Sequence, residues 1–155
     1  MNNLSEFQIM KIIYLLEVES YKFTGKSFNG INFKRNKNGP ISLEIYAGLK
    51  SLDKRYIKKE ITQKADYPYP RHCISLIKPI KKINFSQPEM IFLNSVFESY
   101  LILSQTKLGE AAYSTEPMQE ICKAEKKQGG ILKGVNIDLN SVPLDEEILE
   151  LYKDE

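Results

Sequence analysis

A glycine–proline step followed by apolar residues at helical spacing constrains the fold of this chain more than any other feature. Gly39 and Pro40 precede Ile41, Ile45 and Leu49, which recur every fourth residue. Glycine tolerates positive φ, and proline has a helical φ and lacks the N–H that the first turn of a helix leaves unpaired. The step therefore predicts a sharp entry into a helix that ends near residue 54.

Five other segments carry helix signals. Ser5 with Gln8 three positions later has the residue types of a capping box, and Ser86 with Glu89 repeats the pattern with an early proline between them. Apolar residues at a spacing of three and four follow both starts. The predicted helices cover about residues 5–21, 86–105, 106–113, 117–128 and 144–152, the last of them acidic.

One β-hairpin is predicted between the second and third helices. Residues 56–65 alternate β-branched and charged side chains, and 73–78 are rich in apolar residues. Pro68 and Pro70 between them force extended geometry on the residues that precede them. A further short strand is predicted near 31–34. The fold class is therefore mainly α (α+β), a compact domain of about five to six helices with one inserted hairpin.

Composition and charge narrow the functional classes. The 155 residues are 42% hydrophobic with a net charge of +2, which predicts one soluble domain, residues 1–155, without an electrostatic preference for nucleic acid or membrane. The longest apolar run, Ile12–Leu16, is too short to span a bilayer. No export signal is evident, so Cys73 and Cys122 are expected as free thiols in a cytoplasmic protein.

The sequence offers little for catalysis. The single histidine, His72, adjoins Cys73 in a predicted strand, where neighbouring side chains point to opposite faces. The acidic run 145–147 suits the first turn of a solvated helix, and a metal site would need partners from elsewhere. We therefore predict no catalytic residue, no cofactor, no metal and no enzyme activity.

Two binding surfaces are open to interpretation. Basic clusters at 34–37, 54–59 and 78–82, with a helix–helix–hairpin order, have the layout of a winged-helix DNA-binding regulator, although Glu44 falls in the first turn of the second helix. Tyrosines on loops anchor protein interfaces at a small ordering cost. Tyr67 and Tyr69, each followed by a proline, therefore form either a contact ridge or a rigid turn with partly exposed rings.

Several of these segments together resemble one family. Lys11–Leu15, Phe23–Lys26, Asn38–Ile41 and the Ile45–Leu49 stripe are similar to the Panacea domain, the SocA-like group of phage- and toxin–antitoxin-associated proteins. The similarity is best over residues 8–52 and weaker over 53–142. Residues 108–118 resemble a second family signature, but the family's histidine is missing, and Met118 stands where the family has the tryptophan of a Pro-Trp pair.

The resemblance implies a cytoplasmic, non-enzymatic antitoxin that binds a cognate toxin directly. It also implies that such a protein can act as an adaptor to a ClpXP-type protease. Scaffold roles are expected for Lys11, Tyr14, Gly25, Gly39, Pro40 and Tyr46. The candidate partner surface consists of Tyr67, Tyr69, Tyr113 and Met118. A phage or mobile-element accessory protein is a further alternative, and the oligomeric state is left open.

Overall fold

The secondary structure is taken from a computed structural model that describes residues 3–63, 70–79 and 84–153. The elements are β1 (Leu4–Ser5), α1 (Glu6–Thr24), β2 (Lys34–Asn36), β3 (Gly39–Ile41), α2 (Leu43–Leu52), β4 (Ile57–Thr62), β5 (Arg71–Leu76), α3 (Gln87–Tyr100), α4 (Gln105–Tyr113), α5 (Glu116–Gln128), a short 3₁₀-helix (Leu139–Ser141) and α6 (Glu146–Lys153). Within these ranges the chain is mainly helical with small antiparallel sheets, which confirms the predicted fold class.

Helix α1 is the central element. The Ser5 hydroxyl accepts a hydrogen bond from the Gln8 amide, and the Gln8 side chain accepts one from the Ser5 amide, so the predicted capping box is present. The helix continues to Thr24, three residues beyond the predicted end, and stops where Gly25 adopts a left-handed φ of 71°. Most of its middle is buried, because α3, α4 and β3 all pack against it.

The core forms around α1 in two clusters. The larger one joins α1 to α4, α5 and the loop before β2, and its fully buried members include Tyr14, Phe33, Leu108 and Met118. The smaller one joins Leu16 to residues of α3. Burial of this apolar surface is the main source of stability and holds the elements in fixed relative positions.

The predicted helix entry at the glycine–proline step is wrong. Gly39 and Pro40 lie in β3, which pairs with β2, and α2 begins only at Leu43 with Ser42 as its N-cap. Gly39 has a φ of 105°, which no helix uses, and a short strand tolerates a proline that cannot donate a hydrogen bond. Ile45 and Leu49 of the apolar stripe lie in a helix as predicted, whereas Ile41 lies in β3, so the predicted helix starts too early. The helix also ends two residues earlier than expected.

The predicted β-hairpin is confirmed. Strands β4 and β5 pair antiparallel, with Ile57 opposite Leu76 and Ile61 opposite His72. Strand β1 adds to the other edge of β5, which gives the order β1-β5-β4. No sequence pattern indicates β1, which is two residues long, or the pairing of β2 with β3. The strand predicted at 31–34 lies instead at Lys34–Asn36.

The remaining helices follow the predicted order with shifted ends. Helix α3 has the expected capping box at Ser86 but ends at Tyr100, because Ser104 starts a separate helix as the N-cap of α4. Helix α6 begins two residues later than predicted. None of the helices in the described part of the chain combines the length and hydropathy that a membrane span requires.

Candidate partner-binding site

The two segments that carry the family resemblance meet in space. Tyr14 of α1 is fully buried, and its ring packs edge-on against Phe33 with the centroids 5.2 Å apart. Its hydroxyl hydrogen-bonds Thr115 at the start of α5 with an O–O distance of 2.7 Å. Burial raises the pKa of the Tyr14 hydroxyl to about 12, against the opposing effect of the Thr115 bond. Tyr14 therefore joins α1 to the 108–118 segment as a neutral hydrogen-bonding group.

Lys11 is a buried cation one turn earlier on α1. Only 1% of the residue is exposed, and its Nζ donates to the Pro40 carbonyl oxygen over 2.8 Å. The amine also lies 4.8 Å from the centre of the Phe7 ring. Burial lowers its pKa to about 7, with a further contribution from the positive charge of Arg35. The amine thus has one protein oxygen as its hydrogen-bond acceptor and no carboxylate partner among the described residues.

The Lys11 amine lies so close to Gly39 that a side chain at this position would be crowded. A Cβ on Gly39 would lie 3.2 Å from the Lys11 Nζ and 3.5 Å from a ring carbon of Tyr113. With its φ of 105°, any other residue would be strained as well as crowded. The glycine–proline step therefore serves a close packing of β3 on α1 rather than a helix start.

A buried ion pair lies behind β3. The Arg35 guanidinium donates to both carboxylate oxygens of Glu125, at 2.7 and 3.2 Å, and to the Tyr113 hydroxyl at 2.7 Å. The Glu125 hydrogen bond is the main cause that raises the pKa of Arg35, and the same bond lowers the pKa of Glu125. The pair closes the β2–β3 edge onto α4 and α5, so Tyr113 is held by Arg35 inside the scaffold.

A cavity of about 690 Å³ opens beside Lys11. Its wall combines the starts of α1 and α4, the β2–β3 turn, α2 and the beginning of β5. The lining residues that matter most for binding are Phe7, Lys11, Tyr46, Arg71, His72 and Gln105. We call this site the Lys11 cavity.

In the described part of the chain, the positive groups of the Lys11 cavity have no negative partner. Arg71 donates through one terminal nitrogen to Gln8 Oε1 at 3.1 Å, while its Nε is buried without a hydrogen-bond partner, as is Nδ1 of His72. Among the described residues the one carboxylate that lines the cavity is Glu6, and it already pairs with Lys59 at 2.6 Å. Buried polar atoms without partners are uncommon in proteins and mark a site where a ligand can satisfy them.

Helix α2 forms an exposed apolar rim next to this cavity. Ile45 is its one buried residue, whereas Leu43 is 64% exposed and Tyr46 is 39% exposed. The wall that contains Tyr46 and Glu6 continues into a second cavity of about 350 Å³ between α2 and β4. A helix of this length is stable only when it packs against other structure. Apolar side chains that stay exposed on such a helix form a surface that another molecule can cover.

The two expected partner-surface residues that the structure describes, Tyr113 and Met118, are both at least partly buried. Met118 is fully buried in the larger core cluster, because α5 turns it toward α1, and so it cannot contact a partner in this fold. Tyr113 is partly buried and bonded to Arg35. Tyr67 and Tyr69 lie outside the described residues. Of the expected scaffold residues, Pro40 is buried and Gly25 ends α1, whereas Tyr46 is exposed on α2 and lines the Lys11 cavity.

Comparison with protein families decides the relationship. The family model of the SocA-like antitoxin, Panacea domain, matches residues 9–117, which is more than half of the chain. The chain belongs to the SocA-like Panacea family. Comparisons with curated proteins and with solved structures gave no match.

The region matched by the Panacea model contains most of the candidate site. It runs from the first turns of α1 to the start of α5 and includes Lys11, Gly39, Tyr46 and Arg71. Met118 and the whole of α6 lie beyond it. Family membership associates the chain with antitoxins, and in the described residues no cluster of three or more potential metal ligands occurs.

Sequence reasoning missed the residues that give the Lys11 cavity its charge. Lys11 was expected to be part of the scaffold, and Arg71 was not singled out. A signal was present, because Arg71-His72 follows the proline-containing loop directly and begins a strand. Only the pairing of β5 with β1 brings Arg71 and His72 beside α1, and β1 is too short to predict.

Proposed function

We propose that the protein is an antitoxin that neutralises a cognate toxin by binding it directly through the Lys11 cavity and the exposed face of α2. The match to the antitoxin family over residues 9–117 is the observation that carries this proposal. A cavity next to exposed apolar side chains supports the proposal, because among the described residues Arg71 in its wall has no carboxylate partner. Binding there would cover the toxin's functional surface without any chemical step.

The scaffold is well suited to presenting such a surface. Tyr14, Gly39 and the Arg35–Glu125 pair fix β3 and α4 against α1, so the cavity wall exists before a partner arrives. A pre-formed site loses less conformational entropy on binding than one that must order first. We further propose that the protein acts in the cytoplasm. We also propose that it can deliver the bound toxin to a ClpXP-type protease.

The DNA-binding alternative has weaker support. The face that α2 would offer to a major groove carries Leu43 and Tyr46, and Glu44 in its first turn is bonded to the Asn32 amide. Neither the side chains nor the charge are those that read base edges. Duplex binding that is tight and falls steeply with salt would restore this alternative.

Co-expression tests the proposal. The product of the neighbouring gene is expressed alone and together with this protein, and growth is followed alongside recovery of a complex on size-exclusion chromatography. We expect growth arrest by the neighbour alone, relief of that arrest on co-expression, and a stable complex. A neighbour that is harmless alone, or that remains toxic beside this protein, would refute the antitoxin function.

A protease-deficient host separates the two modes of neutralisation. Relief of toxicity without the protease indicates that binding alone suffices. Loss of relief in the same host indicates that delivery to the protease is required.

A further inference from the structure

The Lys11 cavity contains a guanidinium and an amine for which the described part of the chain supplies no counter-ion. Lys11 and Arg71 both line it, and among the described residues neither has a carboxylate within ion-pairing distance. Glu6 lines the same wall but is committed to Lys59 at 2.6 Å. A carboxylate brought in from outside would therefore meet the Arg71 guanidinium, beside the buried Lys11 amine, in a partly desolvated site where charge-assisted hydrogen bonds are stronger than at an open surface.

The Arg71 guanidinium keeps donor capacity for a ligand. It has five N–H groups, and the described part of the chain accepts from one of its terminal nitrogens through Gln8 Oε1 at 3.1 Å. The residue is only partly buried and lines the cavity, so a carboxylate can accept from it there. The start of α4 at Gln105 lies in the same wall and adds the partial positive charge of a helix N-terminus.

The surroundings favour a protein segment as the source of that carboxylate. The wall of the cavity also contains Phe7, Ile41 and Tyr46, and Leu43 is exposed about one turn before Tyr46 on α2. A nucleic-acid backbone would need a continuous exposed track of cations, whereas Lys11 is 99% buried and Arg71 is recessed. An extended peptide with acidic side chains flanked by apolar ones matches both the charge and the rim.

We propose that the Lys11 cavity binds an acidic segment of a partner protein, with one carboxylate accepting from Arg71 next to Lys11 and the flanking apolar side chains packed on α2. The identity of that partner as a toxin rests on the proposed function, but the chemistry of the site does not.

A pair of synthetic peptides tests the site without any toxin. The acidic probe is an acetylated and amidated hexapeptide of sequence Gly-Leu-Asp-Glu-Leu-Gly, and its neutral twin has the sequence Gly-Leu-Asn-Gln-Leu-Gly. Each is titrated to about 5 mM, a range suited to weak binding, into the full-length ¹⁵N-labelled protein while amide shifts are recorded. We expect the acidic probe to shift amides of Phe7, Lys11, Tyr46 and Gln105 with an affinity at least about tenfold above that of the twin.

Two variants and two controls assign the effect to the cavity. Arg71→Gln and Lys11→Met should each weaken binding of the acidic probe about tenfold. Arg55→Gln and Lys127→Met remove the same charges from exposed positions outside the cavity and should leave the affinity unchanged. Circular dichroism and dispersed amide spectra verify that each variant is folded.

Three outcomes would overturn the site. They are equal shifts with both peptides, no shifts at the highest concentration, or an affinity unchanged by Arg71→Gln. These results are independent of the co-expression experiment, because the peptides contain no toxin sequence. Toxin neutralisation combined with a negative peptide result would remove this inference and leave the antitoxin proposal standing. The reverse result would leave an acidic-peptide site in a protein that is not an antitoxin.

Discussion

At the scale of single residues, the buried carboxylate of Glu17 shows how α1 organises the chain that follows it. Its two oxygens accept hydrogen bonds from the Ser27 hydroxyl and from the amides of Phe28 and Asn29, the last two at 3.0 and 2.8 Å. The anchored segment places the Phe28 ring against α3, 5.6 Å from the Phe92 ring. A residue that is acidic and yet fully buried therefore connects α1 to the smaller core cluster.

Glu17→Gln should destabilise the protein. The substitution keeps the shape of the side chain but replaces one carboxylate oxygen by an NH₂ group, which would face the donors of Ser27, Phe28 and Asn29. It also removes the negative charge that strengthens the remaining hydrogen bonds. We expect the free energy of unfolding to fall by about 2 kcal/mol in urea denaturation at neutral pH. Glu98→Gln, at an exposed position of α3, is the control and should change it by less than about 0.5 kcal/mol. Equal effects of the two substitutions would show that the anchor does not matter.

Lys11 should make stability depend on pH. Burial lowers its pKa in the folded protein to about 7, so between that value and its ordinary pKa the unfolded chain binds more protons than the folded one. Stability must then rise as the pH is raised through this range, because the cost of burying the charge disappears. The other charged or titratable groups around the amine are Arg35, Tyr113 and those of the cavity wall.

Comparison with Lys11→Met isolates this contribution. The free energy of unfolding of the wild type minus that of the variant should increase by about 2–4 kcal/mol from neutral pH to about pH 10, whereas titrations common to both proteins cancel. Chemical denaturation at a series of pH values provides the measurement. A difference that stays constant over this range would mean that the amine is not buried as described.

At the scale of elements, the Gly39–Ile41 strand is where sequence and structure differ most. The stripe of apolar residues predicted a helix correctly, and the capping signals at Ser5 and Ser86 located two helix starts to within a residue. The glycine–proline step was misassigned because the same two residues also suit a tight approach of a strand to a helix. That alternative depends on Lys11, which is distant in sequence, so a local pattern cannot reveal it.

Two glycine substitutions separate these roles. Gly39→Ala should lower the free energy of unfolding by about 1–3 kcal/mol, because φ is 105° and the new Cβ would lie 3.2 Å from the Lys11 amine. Gly48→Ala lies within α2, where nothing is within 4 Å of the added atom, and should raise it by about 0.5–1 kcal/mol. Thermal or urea unfolding of both variants gives the comparison. Stabilisation by both substitutions would contradict the close packing described for β3.

The exposed face of α2 should contribute to binding and not to folding. Leu43→Gln removes an apolar side chain that is 64% exposed, so its effect on the free energy of unfolding should be within about 0.5 kcal/mol. Affinity for the co-expressed partner should fall by about tenfold or more, as expected for an apolar anchor. Lys127→Gln, at an exposed position of α5, is the control and should leave this affinity unchanged. Unchanged affinity of Leu43→Gln would exclude α2 from the interface.

At the scale of the whole molecule, the sequence identified the fold class and the family but not the binding surface. Helix periodicity and caps depend on near neighbours, which makes them readable from one sequence. The Lys11 cavity instead joins α1, β3, β5 and α4, and its charge is apparent only after these elements are packed. For the same reason Met118, which resembled a surface residue in the sequence, lies in the core.

Hydrogen–deuterium exchange of the complex with the neighbouring gene product tests the central claim most directly. The claim is that this Panacea protein binds its toxin through the Lys11 cavity and α2. We predict that binding slows amide exchange in α2 and in the first turns of α1 and α4, with no change across α5. Complex formation with protection confined to α5 or α6, or with none at α2 and the cavity wall, would contradict the account.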